Sequence, residues 1–281
     1  MNTRPESVAA QQAPLASPFD DPECSYVAMP RGMQTFTQPS LCGWERTDGA
    51  AGRALLARVA EQLGNRLPAG RWDLRGLDAA DRRFVAEVLG RGEIGIRVTA
   101  PPGRLEMEES VFAGLWQIRH IQGDGTHEDY LETGPLPFAV YEWAGRLTQG
   151  AGLAIPAEFP AGVMNAPAVL AEVADKSHNH RPGRDSIVNL SLLPMTPEDV
   201  ALVADSLGLA GLSLVSKGYG DCRIHLTRVP HVWWVQYFNA PGQMILNTLE
   251  VTAMPAVALA AAEDLADSAQ RLAETLAELG A

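Results

Sequence analysis

The residue types that could do chemistry are concentrated between Lys217 and Asn239, a stretch that reads KGYGDCRIHLTRVPHVWWVQYFN. It holds one cysteine, Cys222, and two histidines, His225 and His231. Thiolate and imidazole groups bind zinc and other transition metals, and a thiolate beside a base is a nucleophile. The stretch is therefore compatible with a metal or iron–sulfur carrier that uses Cys222 with His225 or His231. It is also compatible with a redox enzyme in which Cys222 is the nucleophile.

The spacing of these residues argues against both chemistries. In a strand, Cys222 and His225 point to opposite faces because side chains alternate. The motifs CxxC and HExxH, which are typical of zinc sites, do not occur. A further pair, His178 and His180, lies in a polar loop and is expected to be solvated. We predict a buried, inert thiol, no catalytic residue and no cofactor, with metal carriage kept as the alternative.

The aromatic residues of the same stretch indicate a surface that binds another protein. In HVWWVQYFN, strand alternation places Trp233 and Tyr237 on one face and Trp234 on the other. We expect Trp234 to lie in the core, whereas exposed aromatic side chains beside polar groups are common in protein interfaces. The predicted binding surface consists of Tyr219, Asp221, Arg223, Trp233, Tyr237 and Glu250.

Composition limits the classes of partner. The chain has 281 residues, a formal net charge of −12 and a sequence pI near 4.9, which disfavours nucleic acid and anionic membranes. Its three cysteines are widely spaced, as expected in a reducing compartment. No apolar run is long enough to span a bilayer, and Met1–Ser17 has no signal-peptide apolar core. We therefore expect a cytoplasmic protein without membrane insertion.

An internal repeat predicts the elements that position these residues. Trp116 and Trp234 lie 118 residues apart, and the same offset, without a gap, carries Asp81 onto Asp199. Further matches are Leu74 with Leu192, Leu131 with Leu249, Glu132 with Glu250, and Pro137 with Pro255. Each copy has a short apolar strand, a capped helix that ends at glycine, three more strands and a helix that begins at proline.

This pattern predicts an α+β fold of two repeated β-α-β-β-β-α modules, pseudo-symmetric and with antiparallel-rich sheets. A long C-terminal amphipathic helix follows, with an apolar stripe that packs on the core and an acidic solvated face. The predicted helix caps are Asp78 and Thr196, and the predicted stops are Gly90 and Gly208. The predicted units are a flexible N-terminal segment (1–50), a first module (51–148), a connector with a short helix (149–186), and a second module with the C-terminal helix (187–281).

Three stretches together point to a known family. They are VNLSLLPMTPEDVALV, the glycine turn GYGDCR, and VWWVQYFNAPGQMILNTLEVTAMPAVALAAAEDL. In combination they resemble the HupH/HyaF family of hydrogenase expression/formation proteins, which includes the HoxQ proteins of membrane-bound nickel–iron hydrogenase operons. The resemblance covers most of the chain, including MPRGMQTFTQP and ESVFAGLW, and is strongest from Ile187 to Asp267.

The resemblance implies an accessory role and no enzymatic activity. Members of the family are needed for hydrogenase maturation and are associated with the precursor of the small, iron–sulfur subunit, which bears a twin-arginine signal peptide. The usual co-partner is a thioredoxin-like hydrogenase accessory protein. The resemblance therefore implies a dedicated chaperone for the small-subunit precursor, and the net charge of −12 suits a ligand with paired arginines.

Overall fold

The computed structural model describes residues 49–64, 70–150, 152–217 and 220–280. The predicted N-terminal segment, 1–50, lies outside these ranges except for its last two residues. The helices are α1 (Ala50–Gly64), α2 (Ala79–Leu89), α3 (Phe138–Leu147), α4 (Ala166–His178), α5 (Pro197–Leu207) and α6 (Ala262–Gly280). The strands are β1 (Arg71–Asp73), β2 (Ile94–Ala100), β3 (Gly103–Glu109), β4 (Leu115–Ile121), β5 (His127–Thr133), β6 (Ser186–Asn189), β7 (Leu209–Lys217), β8 (Asp221–Thr227), β9 (Val232–Phe238) and β10 (Met244–Val251).

All ten strands form one antiparallel sheet in the order β1-β5-β4-β3-β2-β7-β8-β9-β10-β6. Strands β1–β5 make up its first half and β6–β10 its second half, and the halves join where β2 pairs with β7. The fold is thus mixed α/β with a single sheet. The predicted module order omits one strand in each half, namely β3, which begins at Gly103, and β8, which follows Gly220.

The two faces of the sheet are covered differently. One face, which we call the continuous face, carries a single apolar cluster across both halves and is covered by α3. The opposite or divided face carries two separate clusters. In the first half, α1, α2 and α6 cover this face, and in the second half α4 and α5 cover it. A strand such as β9 is therefore apolar on both faces because both are covered.

Local signals in the sequence place α2 and α5 correctly. The Asp78 carboxylate accepts the Asp81 N–H at 2.8 Å and begins α2. Thr196 and Asp199 form a reciprocal capping box at the start of α5. Both helices end at a glycine with a positive backbone φ, 53° at Gly90 and 55° at Gly208. Residues other than glycine adopt this backbone conformation only with strain.

The C-terminal helix packs on the first half, although it follows the last strand of the second. The chain crosses the end of the sheet, where the Ala260 N–H donates to the Pro135 carbonyl at 3.0 Å. Leu272 and Leu276 of α6 then join the cluster that contains Leu56 of α1. The stripe is therefore core-packed from Ala269 onward, as predicted, whereas Ala262 is exposed and Leu259 lies before the helix. None of the helices in the described part of the chain is long and apolar enough to cross a membrane.

The sheet register corrects the predicted alignment of the tryptophans. Trp116 pairs with Glu132, and in the second half Trp233 pairs with Glu250. Trp116 and Trp233 both lie on the continuous face, whereas Trp234 lies on the divided face. Trp116 and Trp234 thus lie on opposite faces of the sheet, which contradicts their predicted alignment, because a shift of one residue exchanges the two faces of a strand.

Candidate functional site

Strands β8, β9 and β10 bring four of the predicted residues together on the continuous face. Cys222 lies directly opposite Tyr237, and the Tyr237 hydroxyl donates a hydrogen bond to the cysteine sulfur. Trp233 lies opposite Glu250 on the next pair of strands. This part of the sheet presents a thiol, a phenol, an indole and a carboxylate, of which Tyr237 and Glu250 are only half-buried.

The Cys222 thiol is not set up as a nucleophile. Burial raises its pKa to about 11, and the negative charge of Glu250 acts in the same direction, against the opposing hydrogen bond from Tyr237. The thiol is therefore protonated at neutral pH, whereas a reactive cysteine needs a lowered pKa. Burial also raises the pKa of Tyr237 to about 12. This geometry supports the predicted inert thiol.

Three other candidates lie on the divided face and do not meet this cluster. Asp221, Arg223 and His225 alternate with Cys222 along β8. The Arg223 guanidinium carbon lies 4.4 Å from the centroid of the Phe238 ring. His225 is buried, and burial together with the charge of Arg223 lowers its pKa to about 4. The predicted binding surface is thus split between two faces of the sheet.

The alternative metal set of Cys222, His225 and His231 does not converge. Cys222 and His225 occupy opposite faces, as predicted, and His231 lies in the turn at the other end of the β8–β9 hairpin. The His231 ring instead stacks on His180, with 4.5 Å between ring centroids. Within the described ranges, no group of three or more histidine, cysteine, aspartate or glutamate side chains could hold a metal ion.

Trp233 is a correction to the predicted surface. Its side chain is only 1% exposed because strand β9 is covered on both faces, so Trp233 belongs to the core. Its indole N–H finds no hydrogen-bond acceptor among the described residues. Burial raises the pKa of Glu250, and a hydrogen bond from Thr248 opposes this shift. Tyr219 lies outside the described residues.

Comparison with known proteins defines the class. Residues 163–279 match the model described as HupH hydrogenase expression protein, C-terminal conserved region. The chain is 39% identical over 268 residues to the hydrogenase expression/formation protein HupH of Rhodobacter capsulatus, covering 94% of each chain. It is 38% identical over 269 residues to HoxQ of Cupriavidus necator, again with 94% of each covered. These matches place the chain among hydrogenase expression/formation proteins.

More distant relatives extend the match. HyaF, a hydrogenase-1 operon protein of Escherichia coli, is 31% identical over 268 residues, which cover 93% of each chain. A solved structure of a HupH hydrogenase expression protein from Thiobacillus denitrificans is 30% identical in sequence. The match covers 41% of this chain and 96% of the solved chain, with a TM-score of 0.39. The chain belongs to the HupH/HyaF family.

Proposed function

We propose that this protein acts in hydrogenase maturation as a dedicated cytoplasmic chaperone for the small-subunit precursor. The client is the iron–sulfur subunit with its twin-arginine signal peptide, held before export. A thioredoxin-like accessory protein is the proposed co-partner. The observation that carries the proposal is the identity of 38–39%, over 94% of the chain, to proteins named for hydrogenase expression and formation.

The chemistry of the cluster on β8–β10 supports binding more than bond-making. Its thiol is protonated at neutral pH, and the nearest histidine in the sequence, His225, lies on the other face with a pKa of about 4. Tyr237 and Glu250 remain partly accessible, and an amphipathic ring beside a carboxylate suits protein recognition. The net charge of −12 favours a client with clustered arginines.

Co-purification tests the proposal. Tagged protein is expressed with the small-subunit precursor, with the same precursor lacking its signal peptide, and with an unrelated twin-arginine precursor as control. Capture of the hydrogenase precursor but not the control supports a dedicated chaperone. Capture of neither, or of both equally, contradicts it. The deletion shows whether the signal peptide or the folded subunit carries the contact.

We also propose that the two halves of the sheet are copies of one module. Support comes from a buried carboxylate at the same place in each half. Asp81 of α2 accepts the Gly52 N–H of α1 at 3.0 Å. Asp199 of α5 likewise accepts N–H groups at the start of α4, from Met164, Asn165 and Ala166. Asp81→Asn is expected to destabilise the fold less than Asp199→Asn, which loses more amide contacts, and an unchanged denaturation midpoint in Asp81→Asn would count against equivalent roles.

A further inference from the structure

An apolar groove opens at the end of the sheet where α1, α3 and α6 converge. Its volume is about 360 Å³, within the range of roughly 300–1,000 Å³ that is common for ligand pockets. The groove lies apart from the cluster on β8–β10. Its lining residues are Gln62, Leu63, Thr133, Gly134, Pro135, Leu136, Phe138, Tyr141, Ala262, Leu265 and Ala266.

The walls of the groove present unusually exposed aromatic side chains. Phe138 is 62% exposed and Tyr141 is 42% exposed, one turn apart on the same face of α3. The opposite wall, from α6, offers Ala262 and Ala266, whose small side chains leave space between the helices. Large apolar side chains that line an open cavity are typical of surfaces that bind another chain.

The helix positions that form the groove are fixed by the core. The Glu132 carboxylate accepts the Phe138 N–H at 2.9 Å and so anchors the start of α3. Leu265 packs so closely on Gly114 that a Cβ at that glycine would overlap it. The Ala260–Pro135 hydrogen bond ties the approach to α6 to the same corner. A preformed groove of this kind loses little conformational entropy on binding.

Acidic residues predominate along the chain segments that line the groove. Among the described residues next to a lining residue in the chain, six are acidic and none is basic. They are Glu61, Glu132, Glu142, Glu263, Asp264 and Asp267. Glu132 caps α3, whereas Glu142 and Asp267 pair with arginines on their own helices. Glu61, Glu263 and Asp264 form no ion pair with any described residue and are exposed on the helices that line the groove.

From this combination we infer that the groove binds an apolar, helix-forming peptide segment that carries arginine or lysine beside its apolar run. The apolar side chains fill the space between Phe138, Tyr141 and Leu265, and the basic residues meet the carboxylates at the rim. The inference deepens the proposed function and rests on it for the identity of the occupant, which is then the signal peptide of the small-subunit precursor.

Binding of model peptides tests the groove independently of the hydrogenase. The probe is a leucine-rich helical peptide with two arginines at its N-terminus, and its counterpart has two glutamates instead. The full-length protein is compared with Ala266→Arg, which fills the groove and opposes the basic end, and with Phe138→Ala. The matched control is Ala277→Arg, which adds the same charge at an exposed position further along α6.

The arginine peptide is expected to bind wild type and Ala277→Arg alike, and to bind Ala266→Arg and Phe138→Ala at least about ten-fold more weakly. The glutamate peptide is expected to bind weakly throughout. Equal binding of the arginine peptide to all four proteins, or no binding to wild type, would overturn the proposal that the groove is a peptide-binding site. Capture of the precursor by Ala266→Arg would then leave the proposed function standing. Groove-dependent peptide binding without capture of the precursor would instead overturn the proposed function alone.

Discussion

Asp199 links the starts of two helices in the second half of the sheet, and its ionisation is expected to stabilise the fold. The side chain is fully buried. Its carboxylate accepts the Thr196 N–H at 3.1 Å and three further N–H groups at 2.8–2.9 Å, from Met164, Asn165 and Ala166. Burial alone would raise the pKa of Asp199, but these four hydrogen bonds outweigh it and lower the pKa to about 2.

The magnitude follows from this pKa. A change from 3.8 to about 2, at about 1.4 kcal/mol per pKa unit, corresponds to about 2 kcal/mol of stability from the ionised form of Asp199. Because the folded-state pKa is the lower one, this stability is fully present above about pH 4 and is lost as the pH falls through about 2. At about pH 3, roughly half of it remains.

Asp199→Asn is therefore expected to lower the free energy of unfolding by about 2 kcal/mol at neutral pH, and by about half as much near pH 3. Urea denaturation of both proteins at the two pH values measures the difference. The control is Asp205→Asn, an exposed position on the same helix, which should leave stability unchanged. A wild-type advantage that is the same at both pH values would refute the assignment of the stability to the ionised carboxylate.

The remaining predictions concern the reactivity of one buried thiol and the stability of variants at three buried side chains. Native Cys222, with its pKa raised to about 11, should react with iodoacetamide near pH 8 much more slowly than in unfolded protein, and mass spectrometry of its peptide measures both rates. Burial raises the pKa of Glu109 to about 7, so Glu109→Gln should raise the denaturation midpoint near pH 8 and have little effect near pH 5. Trp116→Phe should lose about 1 kcal/mol more than Trp233→Phe in urea denaturation, because the Trp116 indole donates to the Gly134 carbonyl at 3.0 Å whereas Trp233 has no acceptor among the described residues. Equal losses would contradict this difference.

The elements that the sequence predicted well are those with local signals. The caps at Asp78 and Thr196, the glycine stops and the helical periodicity lie within a few residues of the helices they define. Strands β3 and β8 were missed because each begins beside glycine and a charged residue, which the sequence pattern cannot separate from a turn. Their identity as strands depends on pairing with distant partners.

The candidate site shows the same limit more sharply. Alternation along β9 correctly separates Trp233 and Tyr237 from Trp234, because side-chain direction in a strand is local information. Whether a face is covered is not local. Trp233 is buried because β9 lies inside a ten-stranded sheet with both faces covered, a fact that depends on the pairing of β2 with β7 far along the chain.

The C-terminal helix carries this reasoning to the groove. The apolar stripe of α6 predicts that one face of this helix is buried. Many apolar surfaces of the protein could bury such a stripe, so the sequence does not identify α1 as the helix against which α6 packs. For the same reason the sequence does not distinguish Phe138 and Tyr141 from the buried face of an ordinary amphipathic helix. In the structure, both side chains of α3 are exposed. The groove that these two side chains line also requires α1 and α6, the first and last helices of the described chain. It is therefore complete only after α6 has packed, so peptide binding there would report the packing of the C-terminal helix on the first half of the sheet.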